Sequence, residues 1–244
     1  MYGTGKWATL IGSKLEKLKV TPIYVGSRVA PNVISRKDIV NCALRGLPTF
    51  IVSSTENHLE DLNHCLQLYP AKIFVEKGFS NHEEREEAKK LIEGIVPTYV
   101  MCQHRYSTIF ESFMSAQDVN KINKCTYTWK IERDSVSEYL YHLASLDGYI
   151  KKKTTEIYNN NFGQFDIDNV SSYTVVKSPY RLLKIHVQSS LYDATFKIGS
   201  YNSMSMRPRG SEQKIITTAY GEDTVGKMVR NALEKDSKII LERL

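Results

Sequence analysis

Two closely spaced glycines near residue 1 are the first residues whose spacing suggests a chemical task. Gly3-Thr4-Gly5-Lys6-Trp7-Ala8 matches the pattern G-x-G-x-x-A, and a helical pattern continues to residue 18. In such a turn the backbone N–H groups can approach a pyrophosphate at the N-terminus of the helix. This segment therefore predicts a dinucleotide site. A glycine turn that only starts a helix is the alternative.

The residues about twenty positions further on bear on the choice of dinucleotide. A predicted strand ends there in Ser27-Arg28. An acidic residue at this place accepts a hydrogen bond from a ribose 2′-hydroxyl, whereas a serine and an arginine suit a 2′-phosphate. The pair favours NADP(H) over NAD(H), and an exposed turn arginine is the alternative for Arg28.

Three further segments each follow a predicted strand, and their order along the chain is informative. They are Ser54-Thr55-Glu56-Asn57-His58-Leu59, Val75-Glu76-Lys77-Gly78-Phe79 and Cys102-Gln103-His104-Arg105-Tyr106. They resemble the T-P-N-x-x-H, E-K-P and G-x-x-x-R-[FY] segments of the glucose–fructose oxidoreductase/inositol dehydrogenase (Gfo/Idh/MocA) family. The resemblance covers residues 1–115 and extends more loosely to about 150.

The resemblance implies roles for single residues. Lys77 matches the lysine beside the reacting carbon, and Glu76 matches the acid that contacts the nicotinamide ribose. Ser54, Thr55, Asn57 and His58 fall in the loop that borders the nicotinamide, and Arg105 and Tyr106 fall in the substrate-binding segment. The sequence departs from the family pattern at Gly78 and Glu56, where the family has prolines.

The resemblance also implies a catalytic pair on the first helix of the second domain. Family members carry an Asp and a His four residues apart there, and Glu138 and His142 have this spacing. Positions i and i+4 share one helix face, so the carboxylate can hold the imidazole in one tautomer while the other nitrogen meets a substrate. A surface Glu–His pair without a function is the alternative. His186 and the loop 207–210 are weaker candidates.

Element patterns predict an α/β chain with two domains. Short apolar strands at residues 23–27, 48–54, 72–76 and 99–102 alternate with helices at 58–68 and 82–93, which is typical of a Rossmann-type parallel sheet. From about residue 119 the pattern changes to a helix at 136–149 and hairpin-like strands, which predicts an α+β domain with an open, mostly antiparallel sheet. The predicted domains are 1–118 and 119–244.

The strand that should precede the glycine turn is largely missing, because only Met1 and Tyr2 come before Gly3. A central strand buried on both faces contributes several kilocalories per mole of stability. We therefore expect a start that is truncated or misassigned, and weak dinucleotide binding by the chain as given. A gapped sheet is the alternative, and residues 239–241 are a third way to fill the position.

Composition excludes several classes of protein. The chain has 244 residues, 41% of them hydrophobic, which excludes disorder as the main state, and no apolar run is long enough for a membrane helix. The cysteines, Cys42, Cys65, Cys102 and Cys125, form no C-x-x-C pair. We therefore expect free thiols in a cytoplasmic protein and no metal site. The net charge of +6 comes mainly from residues 121–244, but no nucleic-acid-binding motif is present, so a nucleic-acid partner is not expected.

Together these features predict an NAD(P)-dependent oxidoreductase acting on a carbonyl/alcohol pair of a sugar or polyol-like substrate. Lys77 and His142 would exchange the hydroxyl proton, and Glu138 would orient His142. The alternative is a non-catalytic member that keeps the fold and binds a ligand or a partner. We also expect a homo-oligomer formed through the C-terminal sheet, with Leu183, Ile185 and Val187 on an apolar face.

Overall fold

The computed structural model describes residues 1–26, 32–39, 44–76, 79–116, 122–133, 136–152, 162–234 and 242–243. Ser27, Arg28, Lys77 and residues 239–241 lie outside the described residues, as does the side chain of Glu138. The chain divides into a first unit, Met1–Gln103 with Val225–Leu244, and a second unit, His104–Thr224. The C-terminal helix thus groups with the first unit, whereas the sequence pattern assigns it to the second domain.

Helices and strands follow one another as the alternating pattern predicts in the first hundred residues. In chain order they are α1 (Lys6–Lys17), β1 (Tyr24–Gly26), β2 (Val33–Ser35), β3 (Pro48–Ile51), a 3-10 turn (Thr55–Asn57), α2 (His58–Leu66), β4 (Lys72–Glu76), α3 (His82–Ile92) and β5 (Thr98–Met101). Asn81 caps α3 by accepting a 2.8 Å hydrogen bond from the Glu84 N–H.

The remaining elements form the second unit and the C-terminal part of the first unit. A 3-10 turn (Gln103–Tyr106) leads into α4 (Thr108–Ala116), β6 (Ile122–Ile131), α5 (Ser137–Lys151), β7 (Gly163–Asp166), β8 (Ser171–Lys177), β9 (Leu182–Ser189), β10 (Tyr192–Ile198), β11 (Asn202–Pro208), β12 (Ile215–Ala219), α6 (Thr224–Leu233) and β13 (Glu242–Arg243).

The sheet of the first unit has two halves joined at Tyr2. One half is the parallel pair β1–β2, and the other has the order β13-β5-β4-β3. Tyr2 bridges in parallel to Val25 of β1 and to Ile51 of β3. On the β3 side the Tyr2 N–H donates to Phe50 O at 2.7 Å and the Val52 N–H donates to Tyr2 O at 2.9 Å. On the β1 side the Gly3 N–H donates to Val25 O at 3.0 Å and the Val25 N–H donates to Met1 O at 2.8 Å. The order across the sheet is therefore β2-β1-Tyr2-β3-β4-β5-β13.

Tyr2 shows how the chain fills the position of the missing strand. The central strand is as short as the sequence predicts, but its place is not a gap, because Tyr2 is 1% exposed and paired on both sides. The segment next to residues 239–241, β13, pairs antiparallel with β5 at an edge of the sheet and not at its centre. The strands β3 and β4 beside Tyr2 are buried on both faces, as a parallel sheet covered by helices requires.

The second unit contains a seven-stranded sheet of order β12-β11-β10-β9-β6-β8-β7. All its pairs are antiparallel except β6–β8, which confirms the prediction of an open, mostly antiparallel sheet. The helices α4 and α5 cover one face of it, where the Phe110 ring stacks on Phe196 at a centroid distance of 4.9 Å.

The apolar residues expected to hold two copies together lie in this covered face. Leu183, Ile185 and Val187 are 1%, 0% and 0% exposed and pack in the core formed with α4 and α5. These residues therefore cannot form an interface, and that part of the oligomer prediction is wrong. Association between copies is itself untested by the structure and stays a prediction.

Candidate functional site

The glycine turn of the first unit brings its backbone close to the chain end of β3. Gly3 has a φ of +108°, and a Cβ at this position would lie 2.7 Å from both the Ser53 N and the Val52 O. Only glycine fits this close approach to the chain end of β3. Gly5 differs, because its φ is −78° and a Cβ there would meet nothing within 4 Å. The turn is therefore tight at Gly3 and open at Gly5.

The helix that follows the turn presents unsatisfied N–H groups. No side chain caps the N-terminus of α1, and its first turn contains no acidic residue. Free N–H groups and the positive end of the helix dipole attract an anion at this place. Thr4, Gly5 and Lys6 are exposed and Trp7 is half-buried, so the open end of α1 is accessible within its unit.

Two small residues of α1 set how closely the helix packs. Ala8 is fully buried, and a Cβ at Gly12 would lie 1.9 Å from the Tyr24 hydroxyl of β1. The helix can therefore approach the sheet closely, which is the role of the third small residue in G-x-G-x-x-A. The strand order changes direction at Tyr2, so the turn also lies at the switch point where open α/β sheets bind ligands.

The loop after β3 is bonded into a fixed shape. The Asn57 side-chain amide donates to Ser54 Oγ at 2.6 Å, and His58 Nε2 lies 3.0 Å from Ser53 O. His58 is fully buried, with its ring edge-on to Phe79 at 6.3 Å. We infer that His58 shapes this loop, while Ser54 and Glu56 are its exposed residues and Thr55 is half-buried. Contact of this loop with a cofactor stays a prediction.

A buried ion pair beside this loop has no signal in the sequence. Asp61 of α2 is 1% exposed, accepts a 2.5 Å hydrogen bond from Ser53 Oγ and pairs with the Arg36 guanidinium. Burial raises the pKa of Asp61, although Ser53 and Arg36 oppose that shift. The Asp61–Arg36 pair connects the end of β2 to the start of α2. Another acidic residue, Glu76 at the end of β4, is also buried, at 7% exposure.

The second unit places His142 of α5 in an aromatic cluster. Its ring centroid lies 5.0 Å from that of His104, 6.1 Å from Tyr141 and 6.2 Å from Trp129. His142 is 6% exposed, and Glu138 precedes it by four residues in the same helix. We name His104, Trp129, Tyr139, His142 and Arg181 the imidazole cluster.

Two polar atoms of the imidazole cluster are buried without a hydrogen-bond partner in the described part of the chain. They are His104 Nε2 and Trp129 Nε1, and Trp129 is 1% exposed. Buried polar groups are nearly always hydrogen-bonded, so a pair of unsatisfied nitrogens next to His142 indicates a place for a polar ligand.

Burial is the main reason that His104 of the imidazole cluster is neutral at neutral pH. Burial lowers the pKa of His104 to about 4, and the positive charge of Arg181 contributes to the shift. The Arg181 guanidinium lies 5.2 Å from the Tyr139 ring centroid and 5.9 Å from that of Trp129, in cation–π contact. The sequence places His104 within the segment 102–106 but carries no signal for this role.

Arg105 and Tyr106, the expected substrate residues, are buried at 6% and 2% exposure. Arg105 Nη2 donates to Ser145 O of α5 at 2.7 Å, and its guanidinium lies 5.4 Å from the Tyr149 ring centroid. These contacts hold the 3-10 turn after β5 against α5. Substrate binding by either residue stays a prediction.

Nothing in the described part of the chain groups three metal-ligating side chains, and none of its helices has the length and apolar composition that spanning a bilayer requires. No family model and no curated protein sequence matches the chain. The comparison with solved structures is therefore the one that bears on the fold.

Three solved structures illustrate the match. UDP-N-acetylglucosamine 3-dehydrogenase GnnA from Acidithiobacillus ferrooxidans has a TM-score of 0.73 and 9% identity, over 95% of this chain and 86% of that one. KijD10, a 3-ketoreductase from Actinomadura kijaniata in complex with NADP and TDP-benzene, has a TM-score of 0.65 and 10% identity, over 94% and 86%. A super-repressor mutant of Gal80p from Saccharomyces cerevisiae has a TM-score of 0.56 and 14% identity, over 94% and 74%.

Identities this low establish the fold and leave activity open. The neighbours include dehydrogenases and a ketoreductase of the Gfo/Idh/MocA family as well as a repressor. The parallel sheet with helices, followed by a larger and mostly antiparallel sheet, is common to them and to this chain. The chain therefore has the two-domain fold of the Gfo/Idh/MocA dehydrogenases, as the resemblance in its sequence predicts.

Proposed function

We propose that this chain is an NAD(P)-dependent oxidoreductase that transfers hydride between nicotinamide and a carbonyl or alcohol carbon of a sugar or polyol-like substrate. The observation that carries the proposal is the glycine turn at the switch point of the first sheet. Gly3 fits only as glycine, Gly5 leaves open space, and the N-terminus of α1 is uncapped. Backbone N–H groups in this arrangement suit a pyrophosphate.

The choice of cofactor rests on residues outside the described part of the chain. Ser27 and Arg28 favour NADP(H), because a guanidinium pairs bidentately with a 2′-phosphate. The KijD10 structure contains NADP, which agrees with this preference without extending it to the present chain. When bound, the nicotinamide supplies the hydride acceptor and donor.

Proton transfer is assigned to two side chains of this protein. Lys77 and His142 give or remove the hydroxyl proton of the substrate, and Glu138, one helical turn before His142, orients its imidazole. Burial lowers the pKa of the neighbouring His104 to about 4, so His104 is neutral at neutral pH and is assigned no proton-transfer role.

The substrate class is supported by the unsatisfied nitrogens of the imidazole cluster. The Trp129 indole N–H is a donor, and a neutral imidazole nitrogen accepts or donates according to its tautomer. Hydroxyl groups can meet both requirements, because each is a donor and an acceptor at once. Two of the structural neighbours are a dehydrogenase of a nucleotide sugar and a 3-ketoreductase, which supports a sugar as the substrate.

Cofactor titration is the first experiment. NADPH and NADH are titrated into the protein and into Arg28→Ala, with binding followed by the fluorescence of the reduced nicotinamide. We expect Arg28→Ala to weaken NADPH binding far more than NADH binding. Equal losses for both cofactors would remove Arg28 from specificity, and no binding of either by a folded chain would reject the oxidoreductase proposal.

Turnover is the second experiment, using a panel of sugars and nucleotide sugars with the preferred cofactor. Lys77→Met and His142→Ala should each lower kcat by about 10²–10⁴-fold, the usual contribution of a positioned proton donor. His82→Ala, at the exposed start of α3, is the matched histidine control and should keep full activity. Full turnover by either catalytic variant removes that residue from the mechanism.

A second function is a non-catalytic binding protein, and one observation favours it. The fold is shared with a repressor, so this architecture does not by itself imply turnover. A chain that binds NAD(P) yet turns over none of the panel, with His142→Ala leaving cofactor affinity unchanged, would support this function.

A further inference from the structure

Arg181 belongs to the imidazole cluster but has no part in the proton transfer proposed above. It comes directly before β9, and Leu183, two residues later, packs in the core under α4 and α5. Side chains two residues apart in a strand lie on the same side of a sheet, so Arg181 lies on the covered side as well. Leu183 is opposite Trp129 of β6, and Tyr139 is in the first turn of α5. Arg181, which contacts both rings, therefore lies where the covered side of the sheet meets the start of α5.

The positive charge of Arg181 is not neutralised within the described part of the chain. Its contacts there are with the rings of Tyr139 and Trp129, and no carboxylate of the described residues forms an ion pair with it. Aromatic rings attract a cation through their faces, but they provide no acceptor for the N–H groups at the edge of a guanidinium. Because the side chain is exposed, a ligand can reach these donors.

The polar atoms next to Arg181 restrict the kind of ligand. The Trp129 indole N–H is buried, has no partner among the described residues and can only donate. The unsatisfied Nε2 of His104 lies in the same cluster, and the charge of Arg181 is strong enough there to lower the pKa of this imidazole. A neutral hydroxyl satisfies the indole N–H but leaves the guanidinium charge unopposed. An anionic oxygen satisfies both donors.

We propose that Arg181 binds an anionic group of the substrate, which is therefore a sugar that carries a carboxylate or a phosphate. This assignment rests on the proposed function, because it takes the imidazole cluster as the place where the sugar binds. A guanidinium pairs bidentately with either group, and such charge-assisted hydrogen bonds are about twice as strong as neutral ones. The rings of Tyr139 and Trp129 hold the guanidinium in place before the ligand arrives, which reduces the entropy lost on binding.

Two other roles for Arg181 lead to different expectations. If Arg181 only packs on Tyr139 and Trp129, its removal affects every sugar to the same extent, whether the sugar is charged or neutral. If Arg181 instead binds a phosphate of the cofactor, its removal weakens NADPH binding and leaves sugar binding unchanged. The glycine turn and Arg28 already provide for the cofactor phosphates in the proposed function, so the substrate is the better partner for Arg181.

The indole N–H of Trp129 reports on this site directly in nuclear magnetic resonance. The chain has two tryptophans, so the ¹⁵N-labelled protein gives two indole signals, and a Trp7→Phe variant assigns them. Glucose, glucuronate, glucose 6-phosphate and UDP-glucose are titrated into the full chain, with and without NADPH, which cannot oxidise an alcohol. We expect at least one anionic sugar to shift the Trp129 signal and to bind about 10–100-fold more tightly than glucose. The preferred anionic sugar identifies the group as a carboxylate, a phosphate monoester or a diphosphate.

Substitutions at Arg181 should remove this preference without affecting neutral sugars. Arg181→Gln should weaken binding of the preferred anionic sugar by about 10–100-fold and leave the affinities for glucose and NADPH unchanged. Arg181→Lys keeps the charge but loses the planar fork, so an intermediate loss is expected. Arg45→Gln is the matched control, because it removes a guanidinium from the exposed turn before β3. Open α/β sheets bind ligands at the carboxyl ends of their strands, so this position at an amino end should leave the preference intact.

Four results would overturn the role of Arg181. They are equal affinities for glucose and all the anionic sugars, or no response to any of them; equal losses for glucose and the anionic sugar in Arg181→Gln; a loss of NADPH affinity alone in that variant; and an anion preference that leaves the Trp129 signal unmoved. Turnover is not needed for any of these measurements. A chain with the anion preference and no oxidoreductase activity would reject the proposed reaction and keep the anion site, whereas turnover of neutral sugars alone would do the reverse.

Discussion

The glycine turn and the imidazole cluster are both candidate binding regions, but they are built in opposite ways. The turn binds through backbone N–H groups, and its side chains matter chiefly by being absent, as at Gly3. The imidazole cluster uses side chains from four separate segments, at His104, Trp129, His142 and Arg181. A backbone site leaves a short pattern in the sequence, whereas a side-chain site of this kind leaves almost none.

The largest effect on the free energy of unfolding is expected for a substitution at Gly3 in the glycine turn. Gly3→Ala places a Cβ against the backbone at 2.7 Å and forces a positive φ on alanine, which should cost about 4 kcal/mol of unfolding free energy. Gly5→Ala is the matched control, because the space there is open and φ is ordinary. Urea denaturation measures both. Similar losses for the two variants would show that the backbone of the turn is not what restricts Gly3.

The next effect concerns acid pH and the imidazole cluster. The pKa of His104 is about 4 in the folded chain against an ordinary 6.5. Between these pH values the unfolded chain binds a proton that the folded chain does not. The free energy of unfolding therefore falls as the pH falls through this window, by about 3 kcal/mol in total for this group.

His104→Phe keeps an aromatic ring but cannot titrate, so it is the control for this effect. Urea denaturation at neutral pH and near pH 4 should show a loss smaller by about that amount in the variant. If the parent and the variant lose stability in parallel, then His104 is not held neutral by its surroundings.

The smallest effect on stability is expected at Gly5. Gly5→Asp fits the extended backbone at this position and caps α1, which should raise the free energy of unfolding by a few tenths of a kcal/mol. The new carboxylate would occupy the place of the pyrophosphate and repel it, so NADPH binding should be lost. NADPH binding is measured by nicotinamide fluorescence. If Gly5→Asp still binds NADPH, the cofactor binds elsewhere and the glycine turn is not a backbone binding site.

Sequence patterns predicted the regular elements well and the irregular ones poorly. The strands β3, β4 and β5 and the helices α2 and α3 were predictable, because apolar runs alternate with amphipathic segments. The strand β2 was missed, since Val33–Ser35 has three residues and shows no period. The strand β11, with its Ser and Met residues, has low β propensity and is held in place by β10 and β12.

The residues of the candidate site also differ in how well the sequence predicts them. The positions of Gly3, Gly5 and Ala8 could be predicted because their spacing reflects local backbone geometry. The Asp61–Arg36 pair could not, because 25 residues separate its members and neither belongs to a pattern. The neutral state of His104 depends on burial by α5 and β6, which no local spacing encodes.

Tyr2 has a consequence for the motions of the first sheet. Four backbone hydrogen bonds around Met1–Gly3 join the pair β1–β2 to β3, namely Tyr2 N to Phe50 O, Val52 N to Tyr2 O, Gly3 N to Val25 O and Val25 N to Met1 O. So narrow a connection lets β1–β2 open as a separate unit while β3, β4 and β5 stay closed. In hydrogen exchange, the amides of Tyr24 and Val25 should lose protection before those of Phe74 and Val75. Since residues 27–31 follow β1 directly, the segment expected to select the cofactor is attached to the half of the sheet that opens first.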